Sequence, residues 1–329
     1  MTRARSVSVV LAALSYSVLA VCAPSSARDI FGNSSPTAKP PPQPASPDPT
    51  ISSQVQYTRS YNGSGAQMTS SDASWSPPAC WYEPVYSPDE MEQYLTTHYE
   101  AEHIAMEVIG EDPGPKGIDY HTGEKGTWWK LEVPDIDRAQ NCTAQHSWLW
   151  EKPGTPTTDD TPLIDPRTLA GLAYNDTVLP APPLTLRPAA ENQLVNLDTE
   201  VVFDQPLDRV YVTAQLDNAA AGVHIAATTV ATPNELRVDA GTENADPSSC
   251  TYKLTPTGGG AYSVDTSNDP CNITYRKHGD YTLQATLVWN VTWTPSANPD
   301  GPPQNPPFPQ GQSTTPLQVT VKENQTIVN

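Results

Sequence analysis

Positive charge is scarce in this sequence of 329 residues. Only 18 side chains are Lys or Arg, against 37 that are Asp or Glu, and the formal net charge is −19 at pH 7. Nucleic acids and anionic lipid surfaces are negative themselves, so both would repel such a chain. We therefore expect no nucleic-acid partner, and we interpret the acidic surface as a source of solubility.

Long apolar runs are missing after the first residues. A short basic start precedes an apolar run over residues 7–20, and small residues follow it. The run is too short for a comfortable membrane span, but its length is typical of a secretory signal. We predict that residues 1–27 are a signal peptide, that the mature chain is secreted or held at the cell surface, and that it contains no integral membrane span.

Cysteines are few, and none forms the Cys-x-x-Cys motif of zinc or thioredoxin-like sites. Lipid anchoring through Cys22 is a less favoured alternative to cleavage, because the bulky Val21 precedes it. The remaining four cysteines are an even number in an exported chain, which predicts disulfides. Three pairings are open. We favour the pairing of neighbours, which keeps each bridge within one predicted domain: Cys80 with Cys142, and Cys250 with Cys271.

Proline is abundant, with 36 residues, and it divides the chain. Residues 28–75 are rich in Pro, Ser and Gly and are predicted to form a disordered linker. Residues 76–180 are predicted to form a small Trp-rich α+β region. Its helices begin after Ser87 and Asp165, where a capping residue precedes a proline, and its strands fall near residues 127–133 and 144–150.

Residues 184–329 show short alternating runs without a convincing helix. The clearest is the stretch from Tyr281 to Trp293, in which seven apolar or aromatic side chains recur at every second position. One face of this strand therefore needs a core to cover it. Seven to eight such strands in about 145 residues are typical of an immunoglobulin-like antiparallel sandwich.

The turn before this strand carries a resemblance. Tyr275-x-x-x-Gly279-x-Tyr281-Thr282-Leu283 resembles the closing hairpin of PKD-type domains, and residues 236–242 resemble a degraded form of that family's Trp-Asp-Phe-Gly-Asp-Gly signature. Residues 77–329 are also similar to a group of secreted actinobacterial proteins, through Pro77-Pro-x-Cys-Trp-Tyr-Glu-Pro84 and Trp289-x-Val291-x-Trp293. These resemblances imply a C-terminal PKD-like β-sandwich and an extracellular location, and they imply no activity.

No catalytic or cofactor motif stands out. His98 and His103 are five residues apart, so a helix would turn them away from a shared metal. Neither a Gly-x-Ser-x-Gly elbow nor a phosphate-binding glycine loop is present. We predict no catalytic residue and no cofactor. Calcium at Asp159, Asp160 and Asp165 is a weak alternative, because the ligand spacing of a calcium loop is missing.

Tryptophans concentrate before residue 151, and four of them lie on the two predicted strands: Trp128, Trp129, Trp148 and Trp150. Exposed aromatic rings would suit glycan contact. Tryptophan is also the obvious core filler in a small domain with few Phe, Ile or Leu residues, and we favour that interpretation. Trp128 and Trp129 should point to opposite faces of their strand, so one of them is the better candidate for exposure.

These observations lead to three hypotheses. The first is a secreted or cell-surface, non-catalytic interaction or scaffold protein whose partner is an unknown protein or a cell-wall glycan. The alternative is a carbohydrate- or cell-wall-binding module that uses exposed tryptophans of the N-terminal region. A cell-wall hydrolase is the weakest hypothesis, because no catalytic motif supports it.

Overall fold

The fold was obtained as a computed structural model, and it is mainly β. The structure describes residues 55–107, 118–134, 139–144, 146–154, 161–218, 222–265 and 271–323. The predicted signal peptide, the possible anchor Cys22 and the Pro-rich part of the predicted linker lie outside these ranges. Antiparallel sheets dominate the described chain, which contains two α-helices.

Seven strands and both helices precede residue 184. The strands are β1 (Gln56–Arg59), β2 (Gly65–Gln67), β3 (Thr69–Ser70), β4 (Trp81–Tyr86), β5 (Thr127–Glu132), β6 (Trp148–Glu151) and β7 (Val178–Pro180), and the helices are α1 (Pro88–Glu107) and α2 (Pro166–Asp176). The later strands are β8 (Leu184–Arg187), β9 (Gln193–Leu194), β10 (Asp198–Phe203), β11 (Val210–Asn218), β12 (Val223–Asp239), β13 (Ala245–Asp246), β14 (Ser249–Pro256), β15 (Tyr262–Val264), β16 (Ile273–Tyr275), β17 (Gly279–Thr294) and β18 (Gly311–Lys322).

The largest sheet runs in the order β1-β11-β12-β17-β18-β3, with β14 and β15 branching from β12 and β9 pairing with the end of β18. A second sheet has the order β13-β16-β10-β8. The predicted ladder of β17 is confirmed: from Leu283 to Trp293 every second side chain is buried, and Trp289 is fully inaccessible. The antiparallel, mainly β class is therefore shown.

The prediction of a disordered linker over residues 28–75 is wrong for its last part. β1 pairs with β11, β2 pairs with β7, and β3 pairs with β18. β1 is one edge strand of the large sheet and β3 is the opposite edge strand. The segment therefore passes from one edge of the sheet to the other between Arg59 and Thr69. Backbone hydrogen bonding holds it there, although most of its strand residues are exposed and polar.

Helix α2 is positioned by its start signal and by its buried face. Asp165 accepts a 2.6 Å hydrogen bond from the backbone N–H of Thr168, as expected of an N-cap, and Pro166 opens the helix. Its apolar residues join the core of the large sheet, and Thr229 of β12 donates a hydrogen bond to the carbonyl of Ala170. The core of the C-terminal strands therefore includes part of residues 76–180, and packing does not follow the predicted division at residue 180.

Strands β4, β5 and β6 form a separate three-stranded sheet that α1 covers. The predicted start of α1 is confirmed, and one half of a capping box is formed, because Glu90 accepts hydrogen bonds from both the backbone N–H and the hydroxyl of Ser87. Met91 and Leu95 are fully buried on the face of the helix that packs on the sheet.

Both disulfides follow the pairing that the sequence favours. Cys80 is joined to Cys142, and Cys250 is joined to Cys271, with Cα–Cα distances of 5.4 Å and 5.6 Å. The first ties the start of β4 to the loop before β6, and the second ties β14 to the residues before β16. Within the described ranges, no helix combines the length and the apolar character that crossing a membrane requires.

Candidate functional site

The three-stranded sheet arranges its aromatic side chains in cross-strand rows. Tyr86 lies opposite Trp128, which lies opposite Trp150, so that one row of rings crosses all three strands. Lys130 lies opposite Trp148 in the next row on the same face, and its Nζ is 5.6 Å from the centre of the indole. Neighbouring strands bring such side chains within contact distance.

The four tryptophans of this sheet differ in exposure. Trp128 and Trp148 are 7% and 3% exposed and belong to the small core beneath α1. Trp150 is half-buried at the border of that core, whereas Trp129 is half-buried against the core of the large sheet. Trp128 and Trp129 thus point to opposite faces, and the burial of Trp128 and Trp148 fits the interpretation of these rings as core.

The side chain of His121 covers one face of the Trp150 indole. The imidazole of His121 lies parallel to the indole, with ring centroids 4.5 Å apart. Gly126 contacts the edge of the same indole, and a Cβ at this position would come within 2.4 Å of Cη2 of Trp150. Much of the Trp150 surface is therefore occupied by the protein, which leaves little of it for a sugar ring.

Charged groups surround His121 in the turn that presents it. Its Nδ1 is 3.4 Å from a carboxylate oxygen of Glu124 and 3.8 Å from one of Asp119. Lys152 pairs with Glu124 at 2.6 Å. The hydrogen bonds from Lys152 and His121 hold the pKa of Glu124 below its usual value, so this carboxylate stays charged at neutral pH.

Three indole N–H groups of this sheet are donors without an acceptor. Among the described residues, Nε1 of Trp129, Trp148 and Trp150 is shielded from solvent and has no hydrogen-bond partner. A buried indole N–H normally finds a partner, because an unmade hydrogen bond costs free energy. Because these donors are shielded from solvent, they could donate to a hydroxyl or carbonyl oxygen of a ligand only after the indole rings move.

A polar cluster, partly buried and not revealed by the sequence, links β1, β4 and α2. The side chain of Glu83 is 2% exposed and accepts a 2.8 Å hydrogen bond from Nε1 of Trp81. Arg59 of β1 forms an ion pair with Asp176 at the end of α2. Burial raises the pKa of Tyr57 to about 12, and the charges of Asp176 and Glu83 act in the same direction. The cluster fastens the N-terminal strand to the rest of the molecule.

The second distinctive surface is the outer face of β17 and β18, formed by the outward side chains Thr282, Gln284, Thr286, Thr314, Pro316 and Gln318. Cross-strand hydrogen bonds order it: the hydroxyls of Thr286 and Thr314 are 2.9 Å apart, and Gln318 donates to the hydroxyl of Thr282 at 3.1 Å. None of the six side chains is charged, but the neighbouring strand β12 places Arg237 beside Thr286 and Asp239 beside Gln284 on the same face of the sheet.

Hydrogen bonds between amide side chains continue the ordered row of the outer face toward β12, at the register shift between Pro233 and Glu235. Asn290 donates a 3.0 Å hydrogen bond to Asn234 and accepts one of 2.9 Å from Gln310. Asp280, which accepts from Thr320 at 2.8 Å, marks the other end of the row. The outer face is thus a flat surface of polar groups whose positions are fixed before any partner arrives.

The other groups weighed from the sequence stay apart or lie outside the described residues. The side chains of His98 and His103 and the loop with Asp159 and Asp160 are not described. Asp165 caps α2. Within the described part of the chain, no three His, Cys, Asp or Glu side chains are arranged to hold a metal ion. Comparisons of the chain with protein-family models, with curated proteins and with solved structures found no match.

Proposed function

We propose that this chain is a secreted or cell-surface interaction protein without catalytic activity, and that its C-terminal strands form a PKD-like, immunoglobulin-type sandwich. The observation that carries the proposal is the outer face of β17 and β18. Contact surfaces between proteins are depleted of charge at their centres. The six outward side chains of β17 and β18 form an uncharged strip on a chain of −19, and Arg237 and Asp239 of β12 border it.

The order of the outer face also favours a binding role. Side chains that are already fixed lose little conformational entropy when a partner binds. Here cross-strand hydrogen bonds fix Thr286, Thr314, Thr282 and Gln318. The two disulfides support an extracellular location, because such bonds persist in oxidising compartments.

Retention of the purified protein on cell-wall fractions and on intact cells tests this proposal. Thr286→Arg places a charge in the middle of the outer face and should reduce retention several-fold. Thr255→Arg is the matched control, because Thr255 is an exposed threonine on β14, outside the outer face. Equal retention of both variants would count against the proposed surface, and release of soluble wall fragments over time would count against a non-catalytic role.

Carbohydrate binding by the Trp-rich sheet is the second candidate, and the unpaired indole N–H groups favour it. Trp150 and Trp129 are its half-buried members, whereas Trp128 lies inside the core. Trp150→Phe keeps a ring against His121 but removes the N–H donor. Reduced retention of this variant on wall glycan, with an unchanged melting temperature, would support this candidate. Unchanged retention would argue against it.

A further inference from the structure

A second aromatic cluster lies where α2, β17 and the loop before β18 meet. Tyr174, Phe308 and Trp293 are almost completely buried, and Trp75 is half-buried against two of them. The ring of Trp75 is 4.3 Å from that of Tyr174 and 5.4 Å from that of Phe308, measured between centroids. Trp75 is therefore the ring of this cluster that reaches the surface.

Arg167 covers the same cluster from outside. Its guanidinium carbon lies 5.5 Å from the centre of the Phe308 ring and 6.0 Å from that of Trp293, which is within the range of cation–π attraction. Nη1 also donates a 3.2 Å hydrogen bond to the carbonyl of Pro306. The guanidinium is thus exposed to solvent but held in one place, beside the ring that Trp75 also contacts.

This guanidinium has no carboxylate partner within the described chain. Four other arginines do have one: Arg59, Arg209, Arg237 and Arg276. Asp165, two residues before Arg167, is engaged as the N-cap of α2, and Asp72, three residues before Trp75, accepts hydrogen bonds from the backbone and hydroxyl of Ser74. Four of the five N–H donors of Arg167 therefore remain available.

The position of Arg167 in α2 is unfavourable for the stability of the helix. Arg167 lies in the first turn of α2, where the helix dipole disfavours a positive charge. This chain has few cations, and Arg167 has no ion pair within the described chain although its position in the helix is unfavourable. We infer that Arg167 has a role other than stabilising α2. A fixed guanidinium is well suited to a planar carboxylate, which it can bind through two parallel hydrogen bonds.

We propose that Arg167 and Trp75 form a binding subsite for a uronic acid unit of a glycan, in which Arg167 binds the carboxylate and Trp75 packs against the apolar C–H face of a pyranose ring. The net charge of −19 disfavours a polyanion at long range, so the attraction is local to this guanidinium. Trp75 and Arg167 belong to one cluster because both contact Phe308. The subsite goes beyond the proposed interaction function and uses none of the outer-face residues.

Calorimetric titration of the full chain with tetragalacturonic acid tests the subsite. Binding should be measurable, should weaken as NaCl is raised, and should be lost with the fully methyl-esterified oligomer, which keeps the sugar rings but has an uncharged methyl ester in place of each carboxylate. Arg167→Gln should weaken binding about tenfold or more, because a charge-assisted hydrogen bond is lost. Arg187→Gln is the matched control, since Arg187 is likewise exposed and without an ion pair within the described chain.

Three results of these titrations would contradict the proposed subsite. Equal affinity for the methyl ester would exclude carboxylate recognition, and an equal loss in both arginine variants would indicate a general charge effect. Equal affinity for poly-L-glutamate would exclude the role of the sugar ring. If Arg167→Gln does not fold, the NaCl and methyl-ester titrations of the native chain still decide. Thr286→Arg should bind the oligomer normally, which separates this site from the outer face.

Discussion

The imidazole of His121 lies parallel to the indole of Trp150, at an interplanar angle of 4°. The stack requires an unusual backbone, because His121 has a φ of 59°, in the left-handed region that few residues other than glycine adopt. The left-handed backbone of His121 therefore places its imidazole against the indole of Trp150. Trp150, a candidate glycan contact, is part of an ordered structural element that includes Gly126.

Gly126→Ala should destabilise the Trp-rich sheet. The new Cβ would come within 2.4 Å of the Trp150 ring, so the indole has to move and its stack with His121 is disturbed. We expect a loss of about 1–3 kcal/mol in the free energy of unfolding, measured by urea denaturation. Gly258→Ala is the control, because nothing lies within 4 Å of its Cβ position, and it should leave stability unchanged. Similar values for the two variants would contradict the described contact.

Gly279→Val should lower the melting temperature. Gly279 has a φ of 152°, which L side chains rarely adopt, at the turn that resembles a PKD hairpin. A β-branched side chain there should cost about 1–3 kcal/mol. Scanning calorimetry of this variant beside Gly258→Val measures the effect. An unchanged melting temperature would show that the turn is described incorrectly.

Removing the two disulfides should have unequal effects. Cys80–Cys142 closes a loop of 62 residues and Cys250–Cys271 one of 21 residues. By loop-closure entropy the double serine variants should lose about 4 and about 3 kcal/mol, respectively. Guanidinium unfolding of each variant under non-reducing conditions measures the losses. A larger loss for the shorter loop would indicate that its native contacts, rather than chain entropy, determine the effect.

Stability should fall at alkaline pH. Burial raises the pKa of Tyr252 and of Tyr275 to about 12, whereas a tyrosine in the unfolded chain has a pKa of about 10. Because the folded pKa is the higher one, both groups stabilise the fold fully below pH ~10 and lose this contribution as the pH rises to ~12. The loss should be on the order of 2 kcal/mol for each tyrosine.

Urea unfolding across this pH range, together with the ultraviolet absorbance of tyrosinate, measures the alkaline effect. Tyr252→Phe should remove its share of the pH dependence while lowering stability at neutral pH, because its hydroxyl donates to the carbonyl of Cys271. Free energies of unfolding that stay constant up to pH ~12 would contradict the burial of both phenols.

Signals that lie within a few residues of each other allowed the correct predictions. Alternation from Tyr281 to Trp293 identified a half-buried strand, and Asp165 before Pro166 identified the start of α2. Such patterns depend on local geometry alone. Such patterns do not show that β12 runs without a break from Val223 to Asp239, where a register shift between Pro233 and Glu235 lets the ladder continue past the proline.

Features made by distant segments could not be predicted. The strand Gln56–Arg59 has no apolar alternation, and its place depends on backbone pairing with β11. Arg167 meets Phe308 and Trp293 only because α2 packs beside the end of β17. Neither relationship leaves a pattern in its own part of the sequence.

The bridge that residues 55–70 make between the two edges of the large sheet limits the order in which the molecule can fold. The hydrogen bond from Thr69 to Gln312 joins residues 243 positions apart, so β3 has no strand partner until β18 has been synthesised, whereas β1 and β2 can pair earlier with β11 and β7. Contacts of this range make folding slow. Completion of the large sheet therefore waits for β18, and a chain that is cut short before β18 leaves β3 and one edge of β17 without a strand partner.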